Sequence, residues 1–534
     1  MNAMALPRLL AICLALPWAA SAWGDDAAAL HARIDALIEA KAGGPLAEKA
    51  SDAEFIRRIY LDLAGRLPSV EETRAFLADP APDKREKLID KLLGSGDHVR
   101  RMTQVFHVML MERLGDHAEW QKFLKASFEA NKPWDQMVRD ILSPDSESET
   151  ARGAALWYTK RLEHYGENPV DIPGMVRDVG RHFLGIDVQC AQCHDHLFVE
   201  DYKQEFYHGM LAFVGNTTIR TDVQFPAVAL KPLDKKVEFM SVFLQKPLAV
   251  GPKLPLGQEI EIPTFGKGEE FEQPPDKKTK FPGKLKFDTL KLLGEQLPRG
   301  ENQLFTKNIA NRLWWLMLGR GLVHPLDLSH KANPASHPEL LELLASELAA
   351  HQFDMRWLIR EIALSQTYQR SGVLEGDVLP QSYRAALEKP LSSEQMLASI
   401  QQALGDGQPL AIDPAAKTWT DWQTRFDKAL ANPAREPEVG HNPTVKAALF
   451  LMHDTTLLAW LKPSGDSLTA RLLKESDAAK LADELYLAVL SRSPTAEEAA
   501  AVGEYLTPRA DHRESAVSNL IWSLIASNEF CTNH

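Results

Sequence analysis

The run Cys190-Ala191-Gln192-Cys193-His194 sets two thiols one helical turn apart, with an imidazole directly after the second. That spacing suits a covalently held haem: the thiols add to the two vinyl groups of the porphyrin and the adjacent histidine ligates the iron. With four Cys and seventeen His in 534 residues, chance placement produces the triplet in roughly one such chain in a thousand. The same residues admit other chemistry. Cys190, Cys193, His194 and His196 are also zinc or iron ligand types, with Cys531 and His534 as the second pair that short-loop metal sites generally need. A Cys-x-x-Cys pair can alternatively work as a redox-active or purely structural disulfide, although the flanking Phe183-Leu184-Gly185-Ile186-Asp187-Val188 gives little sign of the βαβ setting of thioredoxin-like sites.

For a haem, the sixth iron position separates electron transfer from small-molecule chemistry. His182, His196, His208, Met175 and Met210 lie near the motif in sequence, and His534 comes from the far end of the chain. Asp195, Glu200 and Asp201 add acid/base groups in what reads as a solvated loop. No Gly-x-Ser-x-Gly elbow, phosphate-binding glycine loop or His-Glu-x-x-His helix is present.

Covalent haem attachment in bacteria happens outside the cytoplasm, so the first residues bear on the motif. Arg8, an apolar run from Leu9 to Leu16 and then Ala20-Ser21-Ala22 fit a secretory signal peptide over residues 1–22. The run is too short to span a bilayer, and no later stretch of about eighteen apolar residues anchors the mature chain. Cys13 falls inside the apolar run, with Ile12 where a lipobox wants a small residue. Export leaves Cys190, Cys193 and Cys531 in an oxidising compartment, too few for a disulfide scaffold. A net charge of -13 argues against nucleic acid as a partner. The expected location is the periplasm or cell envelope, and the expected partner is a redox or envelope protein.

The elements that must carry the motif are helical. Apolar residues recur at helical spacing from 27 to 215, as in Leu30-Ile34-Leu37-Ile38 and Phe55-Ile56-Ile59-Tyr60-Leu63, and again from 284 to 534, as in Leu340-Leu341-Leu344-Leu348. Between them, residues 216–283 turn to Pro, Lys and Gly with short alternating runs such as Val237–Val242 and Glu259–Ile262. The fold class is therefore mainly α, two helical domains joined by an irregular, partly β insert. Residues 405–443 read as loops. Trp314 and Trp315 read as a helix turning its tryptophans into the core before the Gly319-Arg320-Gly321 stop. One device occurs twice: Tyr60, Arg66, Pro68, Ser69 and Glu72 match Tyr486, Arg492, Pro494, Thr495 and Glu498 in register. It predicts a helix, a break, and a new helix opened by a capping box from Ser69 to Glu72 and from Thr495 to Glu498.

Several stretches together resemble the large exported proteins, abundant in planctomycetes, that join a cytochrome-like N-terminal domain of unknown function to a C-terminal domain of unknown function. They are Phe55–Leu63, Asn131–Asp135, Cys190–His196, Asn311–Trp314, Ser336–Leu341 and Ser527–Phe530. The resemblance implies Cys190 and Cys193 for haem attachment and His194 as axial ligand, with His196 and His534 as further positions at which such proteins place a histidine. This sequence departs from the pattern at Leu197, where similar proteins have proline, and at Cys531. The expectation is an exported c-type cytochrome-like protein with one haem in electron transfer or a redox role. The alternative is a haem-free envelope scaffold or binding protein with zinc or a disulfide at the same cysteines.

Overall fold

The computed structural model describes residues 28–163, 170–437 and 444–534. The expected signal peptide, residues 1–22, lies outside them. The chain is mainly α, and among the described residues its strands form four two-stranded antiparallel sheets. Two lie in the segment expected to be irregular and partly β, residues 216–283, and a third pairs a strand of that segment with residues just beyond it. They pair Thr217–Ile219 with Val228–Leu230, Val237–Ser241 with Lys246–Val250, and Phe271–Gln273 with Lys284–Leu285. The fourth joins Lys389–Pro390 to Thr532–Asn533.

Helix formation follows local chemistry. Trp134–Leu142 buries Trp134, Met137, Val138, Ile141 and Leu142 on one stripe. Ser51 caps Asp52–Leu63 by accepting from the Glu54 amide. The two expected capping boxes are both formed, at Ser69/Glu72 and Thr495/Glu498, and a third opens Ser393–Leu404 from Ser392 and Gln395. Gln303–Leu318 ends on Gly319 in the left-handed conformation at φ +81, as the Gly-Arg-Gly stop predicted. Trp314 is fully buried, while Trp315 is only half-buried. Residues 405–443 contain a helix that the sequence did not announce, Lys417–Leu430. Its buried Trp419 and Phe426 sit seven residues apart on one face, and polar residues between them obscure the period.

Burial divides into two apolar cores. One runs from Leu30 to Tyr383 and mixes helices from before and after the β-containing segment. The other gathers Leu391 to Phe530 and takes in Leu61, Leu67 and Val70 from the N-terminal part of the chain. Among the described residues, no helix is long and apolar enough to cross a membrane.

Candidate functional site

The motif sits in a loop between two tightly placed elements. Helix Ile172–Val179 continues as a π turn, Gly180–Leu184, and stops on Gly185 at φ +67. At Gly180 a Cβ would stand 2.7 Å from the Ile186 carbonyl, so glycine lets the returning loop close on the helix. A single 3-10 turn, Gln189–Gln192, follows. Val188 and Ala191 point into the core and are fully buried, while Cys190 and Cys193, also three apart, face outward as free thiols.

Helix Gln204–Val214 holds this loop. Gln204 donates from Nε2 to the Cys193 carbonyl at 2.9 Å and to the Met240 carbonyl at 3.1 Å, tying the motif to the hairpin Val237–Val250. His208 Nε2 donates to the Gln192 carbonyl at 3.2 Å and its ring stacks on Phe239. The Asp195 carboxylate accepts from the Gln204 amide at 2.7 Å.

The two histidines of the motif are set differently. His194 Nδ1 lies 2.7 Å from the Asp195 carbonyl. A carbonyl only accepts, so Nδ1 carries the proton and Nε2 presents a lone pair, the arrangement found in metal-ligating histidines. His196 Nδ1 instead accepts from the Val199 amide at 2.9 Å and the Phe198 amide at 3.2 Å, which puts the proton on Nε2. Exposed apolar side chains surround the motif: Leu197 and Phe198 on the loop itself, the latter 85% exposed, and Val242, Phe243 and Leu244 at the hairpin tip. The Phe243 ring lies 6.2 Å from that of His194.

The remaining sequence candidates are elsewhere. Met175 and Met210 are buried in the first core. His534 is near Arg57, Arg58, Glu54 and Glu529, and its carbonyl accepts from Arg58 at 3.0 Å. Cys531 donates to the Ile525 carbonyl, and burial pushes its thiol up to about 11. The structure thus places Cys190, Cys193, His194 and His196 on one loop, with His208 on the helix that holds it, and leaves Cys531 and His534 at the helix Asp52–Leu63.

A buried cluster joins His182, one of the candidates for the sixth iron position, to Glu112 and Asp178, which the sequence did not single out. Among the described residues it is the one group of three whose oxygen, nitrogen or sulfur ligand atoms converge within 4.8 Å, so the thiols and imidazoles of the motif do not converge in that way. The cluster is closed by ion pairs. Arg181 holds Glu112 at 2.6 Å, and Arg161 and Arg177 hold Asp178 at 2.7 and 2.8 Å. Trp157 donates its indole N–H to His182 Nδ1 at 3.3 Å, so Nε2 carries the proton and faces Glu112 at 3.4 Å. Such an imidazole offers a cation no lone pair. The pairing with Arg161, among other charges, holds the Asp178 carboxyl far below the usual range against the burial that opposes it. The sequence signal was the set Arg177, Asp178, Arg181 and His182 interrupting the apolar Met175, Val176, Val179 and Phe183.

Residues 33–218 match the family model described as PSCyt2, protein of unknown function (DUF1549), and residues 291–423 match that described as PSD1, protein of unknown function (DUF1553). The cysteine motif lies within the first match. No curated protein and no solved structure matches the chain.

Proposed function

We propose a redox role for this chain, which belongs to the family that joins a PSCyt2 domain to a PSD1 domain: it is an exported c-type cytochrome-like protein that carries one covalent haem. Cys190 and Cys193 hold the haem as thioethers, and His194 ligates the iron through Nε2. The observation that carries this is the His194 tautomer, in which the Nδ1 hydrogen bond to Asp195 leaves Nε2 free. Two further features support it. The thiols are accessible on the outer face of their turn, and Leu197, Phe198, Phe243 and Leu244 offer apolar surface beside them for a porphyrin to cover. Bound there, the haem supplies one-electron exchange at its iron. The protein's own contribution is to fix the imidazole, through Asp195 and Gln204, and to exclude water from one side of the ring. The periplasm or cell envelope is the proposed location, with a redox protein of that compartment as partner.

The test is to express the full chain with an active haem-attachment system and record oxidised and reduced absorption spectra, with haem staining after denaturing electrophoresis. Stain that persists in the wild type and disappears in Cys190→Ala/Cys193→Ala is the expected result. A colourless, unstained protein overturns the proposal. Stoichiometric zinc in that protein would establish the scaffold alternative.

A further inference from the structure

Away from the cysteine motif, a cavity of about 90 Å³ lies where the two matched segments meet. Arg101, Val108 and Met109 line it from helix Gly96–Met111, Arg312 and Trp315 from Gln303–Leu318, and Glu394 from Ser393–Leu404. Its charges are almost all matched. Glu112 meets Arg181 at 2.6 Å, Asp327 meets Arg181 at 3.1 Å and also Arg312, and Glu394 meets Arg113 at 2.9 Å. His182 is neutral, with Trp157 donating to its Nδ1.

Arg101 is the exception. It is only 7% exposed, yet among the described residues it has neither a hydrogen bond nor an ion pair, and its buried Nε is unsatisfied. Asp62 and Glu394 act on it through space, but each is engaged by another cation, Lys389 and Arg113. Burial accordingly lowers its pKa below the ordinary guanidinium value. The side chain reaches this position over Gly65, which at φ +68 has no Cβ to stand 2.8 Å from the Arg101 Cδ. A buried charge without a partner is costly, and proteins satisfy such groups with a ligand, an ion or ordered water.

We propose that this cavity is a binding site for a small monocarboxylate, whose carboxylate pairs with Arg101 and whose short apolar body lies against Val108, Met109 and Leu316. The planar guanidinium suits a carboxylate held by two parallel hydrogen bonds. A single unmatched cation calls for a single negative charge, because a dianion would meet the nearby Glu112, Asp327 and Glu394. The cavity, at about 90 Å³, suits a short chain in the acetate-to-butyrate range. The walls come from both matched segments, so the ligand would bridge them. This site is independent of the proposed haem.

The probe is sodium butyrate, titrated into the full-length protein by calorimetry and by thermal unfolding, against sodium chloride at equal ionic strength. Saturable one-to-one binding and a butyrate-dependent rise in Tm that chloride does not reproduce are expected. Arg101→Met should weaken binding by about ten- to a hundredfold, the range of a charge-assisted hydrogen bond, without lowering the Tm of the ligand-free protein. Val108→Phe, which fills the cavity and keeps the guanidinium, should abolish binding. Absence of saturable binding by the wild type overturns the proposal, as does an equal effect of chloride, binding that Val108→Phe retains, or wild-type affinity in Arg101→Met.

Discussion

His194 and His196 lie two residues apart, share one loop, and are held with the proton on opposite nitrogens. His194→Ala is therefore expected to change the absorption spectrum of the haem-loaded protein. His196→Ala is expected to leave attachment and spectrum as in the wild type, because Nδ1 there serves only the turn to Val199. A loss of the wild-type spectrum in His196→Ala would move the axial role to the second histidine. A third imidazole ties stability to pH. His98 is buried with Nδ1 donating to the Leu63 carbonyl at 3.1 Å, and burial lowers its pKa from 6.5 to about 4. The unfolded chain takes up this proton first, below about pH 6.5, while the folded protein does so only near pH 4. Stability therefore falls as pH drops through that window and levels below it, by up to about 3 kcal/mol from this group. Urea unfolding of His98→Gln against the wild type at pH 7 and pH 4.5 checks this, the variant losing less on acidification.

At the scale of elements, the repeated joint is the same device with two degrees of burial. Arg66 forks onto Glu72 and lies over Tyr60, with Asp97 as its second acid. Arg492 forks onto Glu498 and lies over Tyr486, with Glu529 as its second acid. The first pair is 4% and 13% exposed, the second 27% and 30%. Glu72→Gln is thus expected to cost about 3 kcal/mol as a broken buried pair, and Glu498→Gln about 1 kcal/mol or less as a partly solvated one. Denaturant titrations of the two variants compare them directly, and equal costs would contradict the assignment. Both joints were legible in the sequence because a capping box depends on residues three apart. The Cys-x-x-Cys-His spacing was legible for the same reason. Arg57 was not. It sits fully buried on Asp52–Leu63 and donates to the carbonyls of Val489, Glu529, Phe530 and Thr532, which are 432 to 475 residues away. The cavity around Arg101 escaped for a related reason, since its walls are assembled from segments far apart in the chain. Helix Lys417–Leu430 was missed because only Trp419, Phe426 and Ala429 of its fourteen residues are buried, too few to set a period.

Over the whole molecule, these long-range contacts join the two cores, and one helix contributes to both. Asp52–Leu63 places Phe55, Ile56 and Ile59 in the first core and Leu61 in the second. Asp62, on the same helix, accepts from Tyr368 at 2.8 Å, from Lys389 at 2.6 Å and from Asn533 at 2.8 Å, gathering three distant segments on one carboxylate. Removing it leaves the Lys389 ammonium with only the Met317 and Leu316 carbonyls. Asp62→Ala is expected to cost about 3 to 5 kcal/mol, as a buried pair with one partner deleted. It should also weaken the coupling between the cores, so that a wild-type unfolding curve with one transition becomes two. The same contacts bear on separability. A fragment of residues 284–534 lacks Leu61, Leu67, Val70 and the Arg57 anchor of its C-terminal residues, while a fragment of residues 28–283 lacks the part of the first core from Leu290 to Tyr383. Neither fragment alone is expected to show cooperative thermal unfolding, whereas the two expressed together should assemble. A fragment 284–534 that melts sharply on its own would show that the N-terminal helix is an accessory to the second core and not a member of it.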